Sequence, residues 1–144
     1  MAISFTNNWK NILDKLENIL RDEFKGALPV YRGNKTPAGT TYLQLNPVGS
    51  ELVEYLVTSE TREFTIQILY YVAEANAKES AMEHILRTVS RVEALIHSNM
   101  TTTLSDNSKI HDCRLQSTEL NADEDEGMYI VEWDFRCLHM GNIS

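Results

Sequence analysis

Residues 63–72 read EFTIQILYYV, and this stretch decides the fold because its side chains alternate along the whole segment. Successive side chains of a β-strand point to opposite faces of the sheet. One face would therefore carry Phe64, Ile66, Ile68, Tyr70 and Val72. The other face also carries bulk, at Leu69 and Tyr71. Bulk on both faces is typical of a central strand with one face on the core and the other partly covered.

Shorter strands precede this segment. Residues 28–31 form a brief strand that ends in a turn-rich stretch, and residues 40–45 alternate as a second strand. We expect Asn46 and Pro47 to close that second strand, since proline interrupts the pairing of a sheet.

The last third of the chain has the pattern of an antiparallel hairpin. Its arms are residues 110–120 and residues 128–140, joined by residues 121–127. In the second arm, apolar residues from Tyr129 to Cys137 alternate with charged ones, which predicts one buried and one solvated face.

Two segments have helical periodicity. Residues 6–25 place apolar side chains every three or four positions, with Thr6 or Asn7 as the cap and Gly26 as the stop. Residues 77–98 carry a similar stripe. The order helix, strands, helix, hairpin predicts one α+β domain over residues 1–144. We expect a mostly antiparallel sheet of four to five strands with two helices packed on one face.

Composition and charge exclude several classes of protein. A hydrophobic fraction of 42% is ordinary for a folded domain and argues against disorder. A net charge of −8 disfavours sequence-independent binding to nucleic acid, and we expect no sequence-specific nucleic-acid partner either. No apolar run approaches ~18 residues, and the start MAISFTNNWKN lacks a secretory pattern, so we expect no membrane partner. Two cysteines are too few for a disulfide framework, which favours a reducing cytoplasm.

The connection at residues 48–61, here named the apolar arm, is unusual because it is apolar where a polar loop is expected. It is either a hairpin extension packed on its own domain or an arm that contacts a neighbouring subunit. In the second case the contact residues would be Leu52, Val53, Tyr55, Leu56 and Val57.

A search for catalytic patterns finds no phosphate-binding glycine loop, no nucleophile elbow and no H-E-x-x-H pair. The only obvious reactive candidates are His84, His111 and Cys113, and His97 is a further lone helical histidine. We therefore predict that the chain is not an enzyme and has no cofactor.

One set of residues could bind a metal ion. His111 and Cys113 lie two positions apart on one hairpin arm, as do Cys137 and His139 on the other. If Cys113 paired with Cys137, all four side chains would share one face as a His2Cys2 zinc site. A register slip or a bulge would destroy this arrangement, and the thiols would then be core residues.

The hairpin loop is strongly acidic. Consecutive carboxylates do not fit a calcium-loop spacing and cannot all turn inward. We expect a solvated loop or an electrostatic contact with a basic partner. The residues are Asp123, Glu124, Asp125 and Glu126.

The order of parts resembles the tail terminator-like proteins of tailed bacteriophages. The resemblance begins with the helix opening NWKNILDKL at residues 8–16 and the turn and strand TPAGTTYLQL at residues 36–45. It continues with the strand REFTIQILY at residues 62–70 and a helix at residues 78–97. It ends at residues 123–135, where an acidic hairpin loop finishes with Gly-Met-Tyr and the final strand begins.

The resemblance implies a structural virion protein, assembled in the host cytoplasm, that forms a ring, typically hexameric, on the end of the tail tube. Its partners would be copies of itself, the tail tube protein and a neck or connector protein. The apolar arm departs from the family pattern, and no site residue is carried over. Other readings are another neck or head-completion protein, a metal-stabilised module or a small enzyme.

Overall fold

The computed structural model describes residues 7–25, 28–33, 41–57, 59–73, 78–123 and 128–142. Over these residues the chain forms two helices and six strands. In chain order they are α1 (Asn8–Phe24), β1 (Val30–Arg32), β2 (Thr41–Tyr55), β3 (Ser59–Ala73), α2 (Lys78–Ser98), β4 (Thr102–Thr103), β5 (Lys109–Asp123) and β6 (Met128–Asn142).

The strands form one sheet in the order β1-β2-β3-β6-β5-β4. β3 pairs antiparallel with β2 on one side and with β6 on the other, so residues 63–72 belong to a central strand, as predicted. The α+β class is confirmed, but the sheet has six strands and not four to five. The missed strand is β4, which is two residues long and too short to show alternation. The β1–β2 pair is parallel, which makes the sheet mixed.

β2 is much longer than predicted. Pro47 does not close the strand but pairs with Ile66, and β2 continues to Tyr55. Proline is tolerated at an edge or a bulge, and Pro47 has both settings. The parallel partner β1 covers only positions 43–45 of β2, and the register shifts immediately after Pro47. The missing N–H therefore removes no bond to a strand among the described residues.

The helix ends agree with the predicted ones to within a few residues. The Asn7 side chain caps α1 by accepting a hydrogen bond from the Lys10 backbone N–H at 3.1 Å. The helix ends at Lys25, which has a left-handed φ of 49° and donates its backbone N–H to the Arg21 carbonyl. Thr6 and Gly26, the alternative cap and the predicted stop, lie outside the described residues.

Both helices pack on one face of the sheet, as predicted. The apolar stripes of α1 and α2 share a single buried cluster with the same-facing side chains of β2, β3, β5 and β6. This cluster includes Trp133, Tyr70 and Phe135, the three bulkiest fully buried side chains among the described residues. We call the covered side the helix face and the opposite side the outer face. Neither described helix has the length and hydropathy required to cross a bilayer.

The core and the exposed helix surface offer a matched pair of substitutions. Leu20 of α1 is completely buried, whereas Leu86 of α2 is 49% exposed. We expect Leu20→Ala to lower the free energy of unfolding by about 2–5 kcal/mol, because it leaves a cavity. Leu86→Ala makes the same change in a helix and should cost less than about 1 kcal/mol. Urea denaturation followed by circular dichroism measures both, and equal losses would contradict this assignment of the core.

Candidate functional site

The apolar arm is a β-hairpin that extends the sheet beyond the domain body. The outer halves of β2 and β3 stay paired as far as Tyr55 and Glu60. The Leu56 backbone N–H then closes the turn by bonding to the Ser59 carbonyl at 2.8 Å. β6 follows β3 along the same extension. The first part of the arm prediction, a hairpin extension, is therefore correct.

The second part, packing on its own domain, is wrong. The arm side chains remain open to solvent, from 46% exposure at Leu52 to 91% at Val57. Val53, Tyr55 and Leu56 lie between these limits. The cause is geometric: the strands of the arm run past the region where buried helix side chains meet the sheet. Contact with a neighbouring subunit stays a prediction.

Two β-bulges in β2 decide where the arm side chains point. The register shifts at Val48 and again at Val53, each an extra residue opposite β3. Leu52 and Tyr55 consequently lie on the helix face, opposite Arg62 and Glu60. The acidic side chains of the arm, Glu51 and Glu54, lie on the outer face.

A third bulge separates the four residues of the predicted zinc site. His111 pairs with Leu138 and Ile110 pairs with His139, because Asp112 is inserted with a left-handed φ of 51°. His111 is therefore exposed on the outer face. His139 is buried on the helix face. The four-ligand arrangement is wrong, and within the described residues no three His, Cys, Asp or Glu side chains are placed to bind a metal ion.

The two cysteines are core thiols, as the alternative reading expected. Cys113 and Cys137 are both buried and free, and their thiols hydrogen-bond to each other. The hydrogen bond from Cys113 and burial both raise the pKa of the Cys137 thiol. The Cys137 thiol is therefore held neutral, and both cysteine side chains belong to the buried cluster of the domain.

The catalytic candidates lie in different environments. Cys113 is in the core, His111 is on the outer face and His84 is exposed on α2. His97 is exposed near the end of α2. These placements give no nucleophile–base pair among the three candidates and His97, because such a pair needs side chains within hydrogen-bond reach.

The outer face carries a charge network that sequence reasoning missed. Glu63 on β3 accepts ion pairs from Arg114 at 3.1 Å and Arg136 at 3.2 Å, which lie directly opposite each other on β5 and β6. Asp112 and Asp134 pair with the same two arginines. The carboxylates offset the repulsion of two facing guanidinium groups. Polar residues alternating on three strands were visible in the sequence, but their partners depend on the register between strands.

A groove runs along β5 on the helix face, beside the end of α2. Its volume is about 430 Å³. Its apolar wall is formed by Ile96, Met100 and Leu115, and its polar rim includes Glu93 and His97. Of the predicted acidic contact residues, Asp123 ends β5 opposite Met128. The other three, Glu124, Asp125 and Glu126, lie outside the described residues.

Comparison with solved structures finds the same fold elsewhere. A chain in the virion of a native gene transfer agent particle is similar with a TM-score of 0.57 and 15% identity, covering 88% of this chain and 84% of that chain. A second solved chain, whose description states no function, has a TM-score of 0.64 and 14% identity, covering 94% and 97%. At such low identities, the structural similarity shows a shared fold alone. No protein-family model and no curated protein matches the sequence.

His139 gives the domain a specific pH dependence. Burial lowers its pKa from the ordinary 6.5, while Asp106 and Glu60 raise it and His111 lowers it further. Its Nε2 lies 3.0 Å from Ser108 Oγ. Since the unfolded chain then binds a proton more readily than the folded chain, stability should fall as the pH drops below about 6.5.

We expect His139→Gln to flatten the dependence of unfolding free energy on pH between about pH 7.5 and about pH 5.5. His84→Gln, at an exposed position on α2, is the matched control and should keep the wild-type slope. The measurement is urea denaturation at several pH values. If His139→Gln left the slope unchanged, the His139 imidazole would not be the source of the pH dependence.

Proposed function

We propose that this chain is a structural virion protein of the tail terminator type, which forms a ring on the end of a tail tube and offers the surface that joins the head. The observation that carries the proposal is the fold shared with a chain of a gene transfer agent virion, over most of both chains. The order of helices and strands agrees with the resemblance noted in the sequence. The proposed partners are further copies of this chain, a tail tube protein and a neck or connector protein, and the proposed location is the tail or neck of the virion.

The exposed apolar arm supports an assembly role. Five apolar residues of the arm lie within six consecutive positions that also include Glu54, and each is at least 46% exposed: Leu52, Val53, Tyr55, Leu56 and Val57. Several exposed apolar side chains close together are typical of an interaction site, because water contact with apolar atoms is unfavourable. A ring of identical subunits needs such a surface and needs no reactive group. The dispersed histidines and the buried thiols are consistent with that role.

The negative charge supports a docking role for the acidic hairpin. The chain carries a net charge of −8, and four of its acidic residues are consecutive at positions 123–126. A concentrated negative surface steers a basic partner surface into contact and contributes mainly to association rate and specificity. We propose that this loop contacts the tube protein or the connector.

Mass and shape in solution test the proposal. We expect purified protein to assemble into a ring, with six subunits as the most common number for this type, measured by light scattering and electron microscopy. The ring should bind purified tail tubes at one end. Protein that stayed monomeric at high concentration and bound no tubes would overturn the proposal. Rings that bound a head connector and ignored tubes would favour another neck protein instead.

Two leucines of similar exposure test the arm. Leu52 lies in the arm at 46% exposure and Leu86 on α2 at 49%. We expect Leu52→Lys to weaken ring assembly at least tenfold, because a buried interface position does not accept an unpaired charge. Leu86→Lys should assemble like the wild type. Both variants should keep the circular dichroism spectrum of the folded monomer, and equal assembly by both would exclude the arm from the interface.

A further inference from the structure

The sheet has two free edges, at diagonally opposite corners. On one side, β1 covers only positions 43–45 of β2, so the arm part of β2 has no strand beside its outer edge among the described residues. On the other side, β4 covers only Lys109 and Ile110 of β5. Beyond the bond from the Cys113 N–H to the Met100 carbonyl, the rest of β5 is likewise without a neighbouring strand in the described part.

We propose that these two edges bind each other: the arm of one copy adds as a strand to the β5 edge of the next copy, so that the sheet continues around the ring. This contact rests on the proposed ring, which it would close through the arm part of β2 and the β5 edge. Unpaired edges present backbone donors and acceptors that readily accept another strand. A contact between different surfaces of identical subunits is head-to-tail, the type of contact that generates rings.

Strand direction permits this contact. The four long strands β2, β3, β6 and β5 follow one another in the sheet, and each neighbouring pair is antiparallel. Because their number is even, β2 and β5 run in opposite directions. A neighbouring copy related by rotation around a ring therefore brings its β2 antiparallel to β5, and both copies keep their helices on the same face. Because the two open edges lie at opposite ends of the sheet, the contact requires the two strands to be offset along their length, as in closed sheets with tilted strands. The alternation of strands is not interrupted at the interface.

The side chains on the helix face are complementary. Leu52 and Tyr55 are exposed on this face of the arm. The groove of about 430 Å³ lies on the same face beside β5 and is walled by Ile96, Met100 and Leu115. An arm added to β5 would direct its two apolar side chains towards this groove. Met100, which is 47% exposed, would be covered at the same time.

Charges on the outer face favour the head-to-tail contact over a symmetric one. The arm presents Glu51 and Glu54 on that face. The β5 edge presents Glu119 and Arg114, and the Arg114 side chain is 33% exposed and pairs with Glu63 and Asp112. Pairing two arms would place glutamates beside glutamates only, whereas head-to-tail addition places them beside an edge that also carries a guanidinium group. Like charges on adjacent strands are destabilising.

Cross-linking of mixed copies tests the proposal. Glu51→Cys is placed on the arm and Ser117→Cys on the β5 edge, both exposed and both on the outer face. The native cysteines are buried and should not react in the folded protein. The two single variants, carrying tags of different size, are co-expressed and treated with a short bifunctional maleimide. We expect a covalent dimer that contains both tags, and no covalent dimer when either variant is assembled alone.

The other outcomes separate this inference from the proposed function. Dimers from Glu51→Cys alone would show arm-to-arm pairing, and dimers from Ser117→Cys alone would show pairing between β5 edges. Either result would overturn the head-to-tail contact, as would rings without any mixed dimer, while the ring itself would stand. Failure of the wild-type protein to form rings would instead overturn the proposed function together with this inference.

Discussion

The pairing of β3 with β2 and β6 along its whole length is the constraint on which the other features depend. From Glu60 to Val72 this strand is paired on both sides with neighbouring strands. Its inner half supplies the middle of the core, through Ile66, Ile68 and Tyr70. Its outer half supports the exposed arm. Because one continuous strand serves both regions, the arm is a rigid extension of the core sheet, and its side chains are held at defined positions relative to the body. A flexible loop of the same composition would have to be ordered on binding, at a cost in conformational entropy.

The β-bulges determine which side chains lie on the helix face and which lie on the outer face. A strand with a perfect period of two would have continued the alternation from the core into the arm and through the second hairpin. The extra residues at Val48 and Val53 shift that alternation, so apolar Leu52 and Tyr55 lie on the helix face while Glu51 and Glu54 lie on the outer face. Asp112 does the same on β5. It moves His111 to the surface and leaves Cys113 in the core, which changes a possible metal site into ordinary packing.

The parts that could be predicted from the sequence are those governed by local periodicity. The two helices, the central strand and the C-terminal hairpin follow from apolar spacing, and the buried faces agree with it. The parts that could not be predicted depend on a partner strand. Pro47 signals a strand end in isolation, yet it is accommodated beside a bulge at an edge. The two residues of β4 are defined only by pairing with β5. Likewise, the ion pairs of Glu63 with Arg114 and Arg136 join residues 51 and 73 positions apart. No local pattern contains that register.

Pairing between strands also determines where an interaction surface can lie. The backbone groups at a sheet edge can be paired in two ways, by a strand of the same chain or by a strand of another chain. Within the described residues the first is incomplete, with β1 of three residues and β4 of two. There, each short strand covers one end of a fifteen-residue neighbour and leaves the other end open. The open ends are diagonal across the sheet, and closed sheets have tilted strands whose register is offset from one to the next. The proposed head-to-tail contact therefore depends on this incomplete coverage, because longer edge strands would leave no open edge to which a strand could add.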